Sequence, residues 1–233
     1  MSVPIGVVAH PSRMTMANRL AEQVSAEAVS WDVMDQGCEA THLRLWGYLA
    51  ESPSPYVVIL EDDAQPCEHF RDQLGKVLSH APSPIVSLYL GRGRPDQWQL
   101  PISSIIATEA CFITSDTLLS TVGYAVRTEL LPLMLHSVPL SVDRLELPEA
   151  ITRWAKRRKH TISYARPSIV QHRDVPPVIA TEDRHDGQER TELRQAWLFG
   201  ERRSWDSSAV ELPHPDLRRH DKVARHLVVV QRP

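Results

Sequence analysis

Glu61, Asp62 and Asp63 put three carboxylates side by side, directly after the apolar run Tyr56-Val57-Val58-Ile59-Leu60. Adjacent carboxylates repel one another. A hard divalent cation, Mg²⁺ or Mn²⁺, takes oxygen ligands of this kind and completes its shell with water and substrate phosphates. The structural alternative is an acidic loop that simply stays solvated. Position favours the ligand reading, because sites in open α/β sheets lie beyond the carboxyl ends of the strands.

Other residues could work with that cluster. His10 and Arg13 follow the first apolar run, where Arg13 can clamp a phosphate or merely cap a helix turn. Asp32 and Asp35 follow the second run, a common place for an acid that binds ribose or base, and also a common place for a turn aspartate. Gly91 and Arg92 open a loop with two cations, Gly91-Arg92-Gly93-Arg94-Pro95, and are read with these four as cofactor-binding positions. His172 follows Ile169-Val170, and a neutral imidazole there can complete the metal shell begun by Asp63. Asp143 is either a general base or half of a surface ion pair with Arg144.

The elements that must position these groups follow from hydrophobic periodicity. Val3–Ala9 reads as a strand, then a helix carries Ala17, Leu20, Ala21, Val24 and Ala28 at spacings of three and four. Ala28–Val33 is a second strand, 38–50 a second helix, and the acid-tipped run a third strand, buried on both faces. A helix with Phe70, Leu74, Val77 and Leu78 leads to a strand over 85–90. Strands alternating with helices imply right-handed crossovers and a parallel sheet. Beyond Gly91 the reading is a β-like stretch at 102–113, helices at 127–136 and 147–159, and a strand at 161–164. From about 181 the chain is polar and Pro-punctuated, a loosely packed tail with one helix at 190–199. The division is therefore a domain over 1–180 and a C-terminal extension over 181–233, packed on the domain or trailing from it.

Bulk properties remove several classes of function. A net charge of −3 and a pI near 6.4 give no global basic field for nucleic acid. Only Arg153–His160, at the end of a helix, is basic enough locally to engage phosphates, and a solvated helix end is the plainer account of it. Cys38, Cys67 and Cys111 are odd in number, widely spaced and form no CxxC pair, which suits a reducing cytoplasm and argues against a cysteine zinc site. The sequence has no apolar run near the ~20 residues of a membrane span, and Met1–Gly6 lacks the basic and apolar regions of a secretory signal. It also has no GxGxxG or GxxxxGK[ST].

An acid triplet ending a mid-sheet strand, with this topology before it, resembles the GT-A glycosyltransferases. The run Gly37-Cys38-Glu39-Ala40-Thr41-His42 with Trp46, followed by Val58–Ala64, resembles the lipopolysaccharide-type glycosyltransferases of family 25. Further motifs are similar to those of small glycosyltransferases of bacteriophages and their actinobacterial hosts. These are His10-Pro11-Ser12-Arg13, Trp31-Asp32, Asp62–Cys67, Ser87–Gly91 and Pro167–Asp174. The resemblance implies an α/β, GT-A (Rossmann-like) domain with a mostly parallel sheet flanked by helices. It implies Mn²⁺ or Mg²⁺ held by Asp63, with Glu61 or Asp62 assisting and His172 completing the site. The nucleotide, with a UDP-sugar as donor, would be held by His10, Arg13 and Asp32, and Asp143 would be the base, grouped with Asp62 as catalytic. The phage likeness implies a hydroxymethylated pyrimidine in DNA as the acceptor hydroxyl, in the host cytoplasm. The alternatives are a cell-surface or lipopolysaccharide glycan as acceptor, or a non-catalytic DNA-binding module on a transferase-like fold.

Overall fold

The computed structural model describes residues 3–138, 145–176, 178 and 194–215. Strands β1 (Ile5–Ala9), β2 (Ala28–Trp31) and β3 (Tyr56–Glu61) form a parallel trio with β1 in the middle. Every β1 residue is buried, as are the first five of β3, so both strands are covered on two faces. That explains their unbroken apolar runs.

Helix α1 (Met14–Val24) buries Ala17, Leu20 and Val24 beneath one face of the sheet. It stops at Ser25, whose left-handed φ of 50° turns its N–H back to the Ala21 and Glu22 carbonyls. Helix α2 (Cys38–Leu49) covers the opposite face with Thr41, His42, Leu45, Trp46 and Leu49. Its approach depends on Gly6 in β1, since a Cβ there would lie 2.6 Å from the Leu45 side chain.

The remaining strands complete the expected mostly parallel α/β sheet but interrupt it with antiparallel pairings. β4 (Ala64–Pro66) follows the acid triplet, α3 (Phe70–His80) returns the chain, and β5 (Ile85–Ser87) does not pair with β3. Strand β7 (Gly123–Arg127) lies between them and runs antiparallel to both. The sheet continues through β8 (Ile162–Ala165), β6 (Phe112–Ser115) and β10 (Ala209–Glu211), in the order β10-β6-β8-β5-β7-β3-β1-β2. It is a large α/β sheet of mixed direction, with four of its seven pairings parallel. Strand β9 (Val170–His172) pairs separately with β4 and sets His172 opposite Ala64.

Two local expectations also change. The stretch read as β-like from 102 begins inside helix α4 (Asp96–Ile105), because Trp98, Pro101 and Ile102 share one buried face at helical spacing. The strand starts only at Phe112. The helix placed at 190–199 is absent over its described part. Residues 194–199 instead bridge Gly91 to Ala196 and Ser168 to Phe199. Helices α5 (Leu131–Ser137) and α6 (Leu147–Arg157) pack against α2's face of the sheet. The described part of the expected extension is no loose tail: β10 joins the main sheet and Trp205 is buried beside Phe112. Among the described residues no helix is long and apolar enough to cross a membrane.

Candidate active site

The ends of β1, β2 and β3 and the start of antiparallel β7 meet at one edge of the sheet, bordering a cleft of about 860 Å³. His10, Asp32, Glu61, Asp62, Asp63 and His172 all line it, as do Arg13, Arg92, Arg94 and Arg194. This is the carboxyl edge at which such sheets hold ligands.

The acid triplet divides in two. Asp62 accepts hydrogen bonds from the His10 backbone N–H at 2.9 Å and from Arg13 Nη1 at 2.8 Å. The same Nη1 reaches Asp63 Oδ2 at 2.8 Å, and Arg13 Nη2 donates to the Pro176 carbonyl at 2.6 Å. Side-chain exposure is 14% for Arg13, 7% for Asp62 and 10% for Asp63. The repulsion within the triplet is therefore met first by the chain's own guanidinium. Burial raises the Asp62 carboxyl above the usual aspartate range, and the His10 N–H and Arg13 work against that rise.

Asp63 keeps one oxygen in reserve. Its Oδ1 is buried and has no hydrogen-bond partner among the described residues. His172 Nε2 lies 3.7 Å from Asp63 Oδ2, delivered there by the β4–β9 pairing. A carboxylate with one oxygen unpartnered and the other near an imidazole nitrogen offers donors of the kind that Mn²⁺ or Mg²⁺ takes.

Glu61 faces another way. It accepts a 2.6 Å hydrogen bond from Thr121 Oγ1 and points toward α2, where His42 Nε2 is 3.9 Å and Cys38 Sγ 4.0 Å away. Burial, aided by the negative charge of Asp63, pushes its carboxyl up to about 8.

Of the nucleotide candidates, Asp32 is committed to local structure, with its two oxygens accepting from the Gln36 and Gly37 N–H groups at 2.8 Å each. Those bonds close the loop that starts α2. Asp35 is a largely exposed turn residue with φ 50°, its Oδ1 3.4 Å from His10 Nε2. Arg92 lines the cleft and lies over the Trp197 ring at 5.3 Å. Gly91 does not line it; a Cβ there would meet the Tyr89 hydroxyl at 2.7 Å, so glycine answers a packing need. Asp143 lies outside the described residues. None of residues 153–160 lines the cleft. Residues 153–157 form the end of α6, about 9–15 Å along its axis from Leu147, which borders the cleft with Pro148, and 158–160 follow the helix.

Residues 13–136 match glycosyltransferase family 25, described as LPS biosynthesis protein. The chain belongs to glycosyltransferase family 25. The match runs from Arg13 to α5 and takes in Cys38, His42 and the whole acid triplet, while His10 and His172 lie outside it. A search of curated proteins gives no match. For this family-25 transferase, sequence reasoning passed over Thr121, Tyr89 and Arg194 as cleft residues. Arg194 and Thr121 carried no periodic or motif signal. The Cys38/His42 pair did carry one, because a spacing of four at a helix start puts both on one face.

Proposed function

We propose that this transferase moves a sugar from a nucleotide-sugar donor to a hydroxyl of a saccharide acceptor, using a divalent cation held by Asp63 and His172 with Asp62 assisting. The observation that carries the reading is the buried, unpartnered Asp63 Oδ1, on a carboxylate whose other oxygen lies 3.7 Å from His172 Nε2, just beyond the end of β3. When bound, Mn²⁺ or Mg²⁺ would supply positive charge against the leaving diphosphate. Arg13 bonds Asp62 and Asp63 and offsets part of their charge, the share of it that a cation would otherwise meet. Arg92, Arg94 and Arg194 add a cationic wall that attracts the donor phosphates. His10, which lines the cleft, is the proposed nucleoside contact, with Asp35 3.4 Å from its ring, and a UDP-sugar is the donor class to test first. Asp143 is the proposed base that takes the acceptor proton.

A saccharide acceptor is favoured over hydroxymethylated DNA. The family's description points to lipopolysaccharide, and the basic run that motivated DNA lies away from the cleft. The test is thermal unfolding with a panel of nucleotide sugars, with and without Mn²⁺. A ligand at 100 times its Kd stabilises the folded state by about 2.7 kcal/mol. One nucleotide sugar should raise the Tm in the presence of Mn²⁺, and Asp63→Ala should abolish the rise. No shift with any donor, or an undiminished shift in Asp63→Ala, would sink the reading. Product analysis with saccharide and hydroxymethylated-DNA acceptors then separates the two acceptors.

A further inference from the structure

We infer that Cys38, His42 and Glu61 form a second cation site, distinct from the Asp63–His172 pair and suited to Zn²⁺, with one coordination position open to the cleft. The three residues each offer a ligand atom, all within 4.8 Å of one another. For tetrahedral Zn²⁺ the bond lengths to sulfur, nitrogen and oxygen imply ligand-to-ligand separations of about 3.4–3.6 Å. Glu61 Oε1 stands 3.9 Å from His42 Nε2 and 4.0 Å from Cys38 Sγ, so these two separations need contract by only a few tenths of an ångström around an ion.

His42 is the independent sign. Its side chain is fully buried, and its Nδ1 donates to the Cys38 carbonyl at 2.9 Å. That bond fixes the tautomer and leaves the lone pair on Nε2, the arrangement by which a metal-binding histidine is usually oriented. Nε2 has no hydrogen-bond partner among the described residues, and Glu61 is the carboxylate it faces. A histidine serving only to pack α2 against Tyr124, with ring centroids 6.0 Å apart, would not be expected to leave a buried polar atom unsatisfied. Burial also lowers His42 to about 4, so the ring is neutral and competent as a ligand.

The rest of the site agrees with this reading. Thr121 donates to Glu61 at 2.6 Å and orients it, as outer partners of metal ligands do. Cys38, Glu61 and Thr121 line the cleft while His42 lies behind them, so a fourth position faces the cleft and can take water or an anionic oxygen. Sulfur, nitrogen and oxygen from three side chains with one open position suit Zn²⁺ or Co²⁺ better than the harder Mn²⁺. Binding would draw the proton from the Cys38 thiol, which is otherwise held by burial and the neighbouring acids.

The test uses the full chain stripped with a chelator and titrated with Co²⁺, whose thiolate complexes absorb in the near ultraviolet. The expected result is one thiolate-to-cobalt band, saturating at one equivalent and bleached by Zn²⁺. Cys38→Ser should remove it, while Cys67→Ser, Cys111→Ser and Asp63→Asn should keep it. Glu61→Gln, which preserves shape, should weaken Co²⁺ binding 10–100-fold with an unchanged near-ultraviolet circular dichroism spectrum. Absence of the band in the wild-type chain overturns the site without need of any variant. A band that survives Cys38→Ser, or is lost in Cys67→Ser or Asp63→Asn, overturns it too. Because Asp63→Asn keeps the band here, whereas loss of Asp63 removes the Mn²⁺-dependent shift above, the two cation assignments fail separately.

Discussion

Arg13 shows how one side chain changes the meaning of three acids. From sequence, Glu61-Asp62-Asp63 called for an external cation; in the fold a guanidinium already spans Asp62 and Asp63 at 2.8 Å each. Removing it leaves two neighbouring, mostly buried carboxylates with little compensation. Arg13→Ala should therefore cost about 2–4 kcal/mol of stability in metal-free buffer, near the range for breaking a buried pair from one side. The same variant presents a more negative site, so Mn²⁺ should raise its Tm more than it raises that of the wild type. Thermal unfolding with and without MnCl₂ checks both statements, and equal increments would show that the two carboxylates do not share an ion.

Among the elements, those legible in the sequence were those whose burial is local. The five apolar residues of β3 and the three- and four-residue spacings of α1 and α3 announce themselves, because each element is buried along a whole face. β7 was not legible as a central strand: Gly123-Tyr124-Ala125-Val126 is short, and its place between β3 and β5 is decided by tertiary pairing. β4–β9 escaped for the same reason, although His172 depends on it.

The segment over 194–215 is held partly by charge, through an ion pair between His69 Nδ1 and Glu201 Oε1 at 2.9 Å. Glu201 raises His69 above its ordinary 6.5, and the His69 backbone and side chain lower Glu201 below its ordinary 4.5. A raised histidine stabilises below 6.5 and loses that effect as pH climbs through its folded value; a lowered carboxyl stabilises above 4.5 and loses it as pH falls. The pair is thus strongest between about pH 4.5 and 6.5. Glu201→Gln keeps an acceptor for the His69 N–H but removes the charge, so its small Tm deficit should be measurable at pH 6 and should shrink at pH 8.5. A deficit independent of pH would mean that the charge contributes nothing.

For the molecule as a whole, the question is where the folding unit ends. Composition suggested a boundary near 180, because the last fifty residues are polar and balanced in charge. Yet β10 pairs with β6, and Trp205 is 6% exposed, with its indole N–H donating to Gln73 Oε1 at 2.8 Å. Ala209-Val210-Glu211 is too short to register as a strand by periodicity, and a lone tryptophan in a polar stretch does not say what it packs against. Those contacts nevertheless cover one edge of the sheet and part of the core shared with α3. Trp205→Ala should cost roughly 3–5 kcal/mol, as for other buried large-to-small changes. A chain cut after residue 180 loses that contact and β10 together, leaving β6 as an exposed hydrogen-bonding edge prone to pairing with other chains. Such a fragment should be aggregated or unfolded by size-exclusion chromatography and circular dichroism. If it instead gave a monomer with a wild-type Tm, the polar segment would be an appendage after all, and the cleft's Arg194 could be removed without disturbing the sheet.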